Sequence, residues 1–207
     1  CIEKGHNIKI IDKMTYAANM DRLDVNLGPI ILHEKDICDV DHNDILHADY
    51  IVNFAAETHV DNSIKDGKPF IRSNVEGVFN LIEQARKIDV KKFIQISTDE
   101  VYGDILEGES KETDSIKPSS YYSATKASAD MLVLSAHRTY GLPYIITRTC
   151  NNYGPGQHEE KFIPKVKKCL QNNLPIPVYT PGTQRREWIH VDDNCQAIYN
   201  IMMSDKV

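Results

Sequence analysis

The sequence predicts an α/β protein, a doubly wound parallel sheet followed by a smaller C-terminal portion. Three observations carry this. Short β-branched runs alternate with segments of helical periodicity. Several of those runs end on an acid or a hydroxyl, as at Asp12, Ser97 and Thr149. After Tyr153 the texture changes, with Gly154, Pro155, Gly156, Pro164, Pro175, Pro177, Pro181 and Gly182 close together.

Asn7–Asp12 (NIKIID), Ile30–Glu34, Tyr50–Ala55, Lys92–Ser97 and Pro143–Thr149 read as strands. Asn74–Lys87 carries Val75, Val78, Phe79, Ile82 and Ala85 at helical spacing. Ser123–Tyr140 reads as a long helix, with Ala127, Met131, Leu134 and His137 near one face, and Asn194–Met203 as another helix. The opening Cys1–His6 reads as the last turn of a helix, with Gly5 as its stop. A sheet of this kind is expected to begin with a strand and a Gly-rich turn before that helix. The expectation is therefore a chain lacking its first strand and its C-terminal part. The division expected is 1–153 for a Rossmann-type dinucleotide domain and 154–207 for a partial substrate-binding portion with late elements of the same fold.

The composition narrows the class. The 207 residues are 41% hydrophobic and 26% charged, ordinary for a globular protein. A net charge of −6 argues against nucleic acid or an anionic membrane as the main partner. No apolar run approaches the length of a membrane span. The five cysteines, odd in number and irregularly spaced, fit neither a disulfide framework nor a zinc site. They read as reduced thiols of a cytoplasmic protein. The histidines include no HExxH and no close pair, so no metal is expected.

Several residues stand where chemistry would be placed. Asp12 ends the first strand, where a carboxylate can accept both adenosine ribose hydroxyls and repel a 2′-phosphate. Asp36 and Ile37 follow the next strand, within reach of an adenine in such folds. Both acids could equally be turn caps. The small residues of Phe54-Ala55-Ala56 would let the backbone lie against a dinucleotide, or simply allow tight packing. Thr98-Asp99-Glu100 ends the Lys92 strand. Adjacent carboxyls there suit acid and base roles, although an isolated pair is more often a solvated turn. Tyr122 and Lys126 lie one helical turn apart, so an ammonium can stabilise a phenolate and lower the Tyr122 pKa. Asn151, Asn152, Glu160, Lys161, Phe162, Arg185 and Arg186 supply amides and cations suited to a diphosphate, or ordinary surface charge.

Taken in order, these residues resemble the extended short-chain dehydrogenase/reductase family and, within it, the dTDP-glucose 4,6-dehydratases. The resemblance runs over essentially the whole chain. Its most telling pieces are IDKMTYAAN at 11–19, FAAETHVDNSI at 54–64, STDEVYG at 97–103, YSATKAS at 122–128, NNYGPGQHEEKFIP at 151–164 and RREWIHVDDN at 185–194. The Thr-Asp-Glu triplet discriminates, because related epimerases and decarboxylases generally lack the Asp-Glu pair. The resemblance implies NAD as cofactor. Asp12, Lys13 and Thr15 would hold its adenosine end, Asp36 and Ile37 its adenine. Phe54, Ala55, Ala56 and Thr58 would line dinucleotide and sugar, Ser73 would lie near the cofactor, and Thr149, Asn151 and Asn152 near the nicotinamide and substrate. Glu160, Lys161 and Phe162 would meet the sugar nucleotide, Pro177 and Tyr179 would bracket its base, and Arg186 would pair with its diphosphate. In the implied reaction Tyr122 with Lys126 takes the C4 hydroxyl proton, Thr98 hydrogen-bonds that oxygen, Glu100 removes the C5 proton and Asp99 protonates the leaving C6 hydroxyl. The implied assembly is a homodimer built on Asn74–Lys87 and Ser123–Tyr140. The alternatives are a 4-epimerase or a dehydratase for a UDP or CDP sugar, and a non-catalytic NAD-binding module.

Overall fold

A computed structural model of the chain describes residues 1–23 and 28–205. Strand β1 (Ile8–Asp12) runs parallel to β2 (Ile30–Glu34), in register from Ile8↔Ile30 to Asp12↔Glu34. Strand β3 (Tyr50–Asn53), β4 (Lys92–Thr98) and β5 (Tyr144–Thr149) form a second parallel sheet with β4 in the middle. Two short strands, β6 (Asn151–Tyr153) and β7 (Trp188–His190), pair parallel as a third. The expected strands are all present. The third stops at Asn53 rather than Ala55 for a local reason: the Asn53 side chain accepts the Ala55 N–H at 3.1 Å and turns the chain out of the sheet.

The helices fill the crossovers. After α1 (Val60–Lys65), helix α2 (Lys68–Ile71) starts with Pro69 in its first turn, widens into a π-turn at Arg72–Glu76, and continues as α3 (Gly77–Ala85). This helical run therefore begins before Asn74. Gly77 is needed where it stands, because a Cβ there would lie 2.6 Å from the Ile37 side chain. Helix α4 (Tyr121–Tyr140) opens on a reciprocal capping box between Ser120 and Ser123. It ends on Gly141, left-handed at φ 74°, whose N–H bonds the His137 carbonyl. Its buried face is Lys126, Ala129, Asp130, Val133 and Ala136. Ala127 is buried too, but Met131 and His137 face outward, so the face expected from apolar spacing was turned. The small residues on the true face let α4 sit close to β4. Helices α5 (Phe162–Gln171) and α6 (Val191–Met203) complete the chain.

The core lies between β4 and helices α3 and α4, where Phe93, Val78, Ile82, Ala129 and Val133 pack together. Beneath it, Lys92 is buried and donates to the carbonyls of Ile201 and Met202, both at 3.3 Å, and to that of Ser204. This cation caps the negative end of α6 and joins it to the sheet. Because β3, β4 and β5 are parallel, Asn53, Thr98 and Thr149 end on one edge, with Thr98 and Thr149 in direct register.

Phe93 is fully buried in this core. Phe93→Ala should lower unfolding free energy by about 3–5 kcal/mol, seen as a lower urea midpoint at unchanged slope.

Candidate active site

Thr98 leaves β4 and its hydroxyl caps a 3₁₀ turn, Asp99–Tyr102, by accepting the Glu100 N–H at 3.3 Å while donating to Asp99 Oδ1 at 3.1 Å. This fixes both carboxyls on the sheet edge. Burial holds the Glu100 carboxyl above its ordinary range, Asp99 adds to this by like charge, and Arg186 and Lys161 oppose it. Glu100 is thus more basic than a surface carboxylate, and the two residues furthest from it in sequence share its field.

Tyr122 and Lys126 present from the first turns of α4 to the same edge. Lys126 is only 4% exposed, and its Nζ donates to the Ile96 carbonyl at 2.5 Å. Burial pulls the ammonium down to about 8, with Asp130 resisting. The Tyr122 phenol behaves differently from expectation. Burial and then the Glu100 charge hold it above its ordinary range, and the Thr98 hydroxyl opposes them. The expected depression by Lys126 is not seen, because Lys126 is turned onto the β4 backbone and the nearest strong field on the phenol is negative.

The other side of the edge holds the residues read as dinucleotide contacts. Asp12 Oδ1 accepts the Met14 N–H at 2.7 Å, and Asp36 Oδ1 accepts the Cys38 N–H at 3.0 Å, so each caps a turn while standing at a strand end. Burial works to raise the Asp36 carboxyl, but the Cys38 N–H with the Lys13 and Arg72 charges outweighs it and leaves it below the ordinary range. Ile37 is buried and contacts Gly77 from below. Lys13 reaches across, donating to Ser73 Oγ at 3.0 Å and Glu57 Oε1 at 3.3 Å. An open cavity of about 540 Å³ lies beside Lys13, Arg72 and Ser73. Thr15 begins the exposed turn after β1, its carbonyl accepting the Ala18 N–H at 2.9 Å. Phe54, Ala55 and Ala56 leave β3 with Phe54 59% exposed on the edge.

The substrate-side residues come together in part. Lys161 Nζ donates to Thr58 Oγ1 at 3.3 Å, linking the β3 loop to the start of α5. Glu160 Oε2 accepts from the Tyr16 hydroxyl at 3.2 Å and lies 3.9 Å from His59 and 3.8 Å from His158. Asn151 Nδ2 donates to the Glu187 carbonyl at 3.4 Å, and Asn152 Oδ1 is buried with no hydrogen-bond partner among the described residues. Phe162 is exposed at the head of α5. Pro177, Tyr179 and Arg186 lie exposed on the stretch before β7, and the Tyr179 hydroxyl donates to Asp61 at 2.6 Å. They stand outside the catalytic cluster except for the Arg186 charge at Glu100.

One organising residue escaped the sequence reading. Asn74, buried in the π-turn, accepts the Glu57 N–H at 2.8 Å and donates to the Glu57 carbonyl and to Thr125 Oγ1, both at 3.0 Å. It straps the cofactor-side loop to α4. Its only signal in the sequence was an amide at an apolar-flanked helical position.

The parallel sheet thus places carboxyls, a phenol and a buried lysine along its carboxyl edge, where ligands of such sheets bind. Comparison with known proteins agrees: residues 1–206 match the NAD dependent epimerase/dehydratase family, and the chain belongs to it. It is 47% identical over 200 residues to the low-salt glycan biosynthesis protein Agl12 of Haloferax volcanii, covering 93% of this chain and 63% of that protein. It is 42% identical over 210 residues to a dTDP-glucose 4,6-dehydratase of Streptomyces niveus, covering 98% of this chain and 61% of that protein. Among solved structures it resembles the dTDP-glucose 4,6-dehydratase DesIV of Streptomyces venezuelae with NAD bound, at TM-score 0.94 and 39% identity, covering 97% of this chain and 64% of that one. A UDP-glucuronic acid 4-epimerase of Bacillus cereus is similar at TM-score 0.92 and 26% identity, covering 98% and 67%. The chain therefore spans a little over three fifths of the length of the curated relatives it matches.

Lys126 also affects stability. Depression from 10.5 to about 8, at about 1.4 kcal/mol per unit, penalises the charged folded state by about 3 kcal/mol. The penalty is full below pH 8, where both folded and unfolded chains carry the proton. It is relieved between pH 8 and 10.5, where the unfolded chain binds the proton and the folded one does not. Lys126→Met should therefore be the more stable protein at pH 7, by up to about 3 kcal/mol, and its advantage should shrink as pH rises to 10. Denaturation curves at both values check this.

Proposed function

We propose that the protein is an NAD-dependent nucleotide-sugar 4,6-dehydratase acting on dTDP-glucose. The observation carrying this is the Asp99–Glu100 pair, a half-buried carboxyl made more basic beside a second carboxyl, on the edge that also holds Tyr122 and Lys126. An epimerase has no use for a second proton-transfer pair at C5 and C6. The residues fit the cofactor. The cavity beside Lys13 and Ser73 suits the adenosine end, and the unpartnered buried Asn152 Oδ1 can accept from a carboxamide near Thr149. Asp12, Thr15, Asp36, Ile37 and Phe54–Ala56 would complete its contacts. When bound, NAD supplies a hydride acceptor that gives the hydride back within the same turnover.

The chain's own residues then do the following. Tyr122 takes the proton of the C4 hydroxyl, while Thr98 hydrogen-bonds that oxygen. Lys126, one turn along the same helix, is the cation that would favour the phenolate form taking this proton once a bound ligand draws it off the Ile96 carbonyl. Glu100, made basic by burial, removes the proton on C5. Asp99 delivers a proton to the C6 hydroxyl, which leaves as water, and Glu100 then gives its proton back to C5. Thr58, Asn151, Asn152, Glu160, Lys161 and Phe162 hold the sugar nucleotide, Pro177 and Tyr179 its base and Arg186 its diphosphate. The product is the 4-keto-6-deoxy sugar nucleotide. The substrate portion on this reading begins at residue 154, and the enzyme works in the cytoplasm, with its cysteines reduced. No helix among the described residues is long and apolar enough to cross a membrane.

The full-length protein incubated with dTDP-glucose and NAD should yield the alkali-developed keto-sugar absorbance. Glu100→Gln should lower kcat by roughly 10²–10⁴. A folded, NAD-loaded protein that gives no signal with dTDP-glucose would sink this substrate, and parallel reactions with UDP- and CDP-glucose identify another base. We also infer a homodimer through α3 and α4, whose Phe79 and Met131 are exposed. Sedimentation should give a dimer, and Phe79→Glu should convert it to monomer.

A further inference from the structure

Asp130 has no part in the reaction described above, yet its side chain is 0% exposed. It lies one helical turn from Lys126 on the buried face of α4. Arg148 of β5 donates Nε to Asp130 Oδ2 at 2.9 Å and Nη1 to the Tyr102 hydroxyl at 2.7 Å. The guanidinium also stands 5.1 Å from the centre of the Tyr102 ring. Tyr102 is the last residue of the turn that carries Asp99 and Glu100. A continuous chain of polar contacts thus runs from the catalytic helix through β5 to the turn of the two carboxyls.

The pair is not explained by folding alone. Among the described residues neither Asp130 Oδ1 nor the buried Ser97 Oγ makes another hydrogen bond, and the Ser97 hydroxyl lies near enough to help hold the Asp130 carboxyl down. A buried ion pair adds little net stability, and an apolar pair of the same volume is often as stable or more so. The charge acts on something. On α4 Lys126 is flanked by Tyr122 and Asp130. From β4 it meets the Ile96 carbonyl, Asp99 and Glu100 bear on the neighbouring phenol from the turn, and Arg148 stands behind Asp130 on β5. Asp130 is the charge that opposes the loss of the Lys126 proton on burial. Burial pushes the Asp130 carboxyl up, and Arg148 and Lys126 oppose it.

We propose that Asp130 and Arg148 are positioning residues for the dehydration: Asp130 is the counter-charge of Lys126, and Arg148 with Tyr102 locks the Asp99–Glu100 turn against the Tyr122–Lys126 face. The kinetic part rests on the dehydratase reading. The electrostatic part does not.

The test uses the full-length, NAD-loaded protein with ¹³Cε-lysine, the Lys126 signal being assigned with Lys126→Arg. In the parent, Lys126 should titrate near pH 8. In Asp130→Asn it should titrate about one pH unit lower or more. The basic limb of the kcat/KM profile should move down with it, because the form lost at high pH is the ammonium. Asp130→Glu should restore much of the shift, which a merely structural role would not do. Tyr102→Phe should leave the Lys126 titration unchanged and lower kcat about tenfold with KM held. An Asp130→Asn protein that folds and keeps the parental Lys126 titration overturns the proposal. Should Asp130→Asn not fold, a Tyr102→Phe enzyme with parental kcat overturns it. If the parent performs no dehydration, the functional reading fails, and the Lys126 titration still decides the role of Asp130.

Discussion

Lys126 is a cation held where water is nearly absent, and much of the active edge is arranged around that fact. Its stem packs along α4 and its ammonium rests on the backbone of β4. An ammonium in such surroundings stays charged only if negative potential is supplied close by. One source is a backbone carbonyl, and another is a carboxylate one turn further along the same helix. The carboxylate in turn needs its own cation, which β5 provides. The small residues on the inner face of α4 follow from the same constraint, because a bulkier face would lift the helix off the sheet and admit water.

Parallel pairing does the remaining positioning. With β4 between β3 and β5, strand ends align on one edge, and a turn that leaves β4 emerges beside the residues that leave β5. The Thr98 hydroxyl then serves both the turn and the site, because the cap that stops the strand is the group that orients Asp99. The same economy recurs at Asp12 and Asp36. Asp12 caps the turn at the end of β1, and Asp36 caps the turn just past β2, on the edge where the proposed reading puts the dinucleotide. A cap and a binding group need the same thing, an oxygen aimed beyond the end of the element, so the two readings of these acids do not compete.

The fold was legible because its signals are local. Alternating strands and helices and the Gly5 stop each depend on a few neighbouring residues. The cluster Thr98, Asp99, Glu100, Tyr122 and Lys126 was legible as spaced residue types. The inner face of α4 was misjudged. Apolar spacing pointed to Met131 and His137, whereas the buried face carries Lys126 and Asp130, and a periodicity count treats those charges as evidence of solvent. The state of Tyr122 was hidden for a related reason. Spacing brings a lysine within one turn of a tyrosine, but which way the ammonium turns depends on the sheet beneath. Asn74 was hidden because its partners, the main chain of Glu57 and the hydroxyl of Thr125, are distant in sequence.

Burial perturbs both Glu100 and Lys126, each toward its neutral form. Burial raises the carboxyl and so makes it a better base. Burial lowers the ammonium and so brings it near the pH at which it works. If burial acted alone, Lys126 would lose its proton as readily as Glu100 gains one, and the cation that a phenolate requires would be gone. A counter-charge inside the helix separates the two effects. Water can then be excluded from the edge, which strengthens every charge there, without discharging the lysine. That requirement gives a physical reason for a buried ion pair at a place where hydrophobic packing would have made the more stable protein.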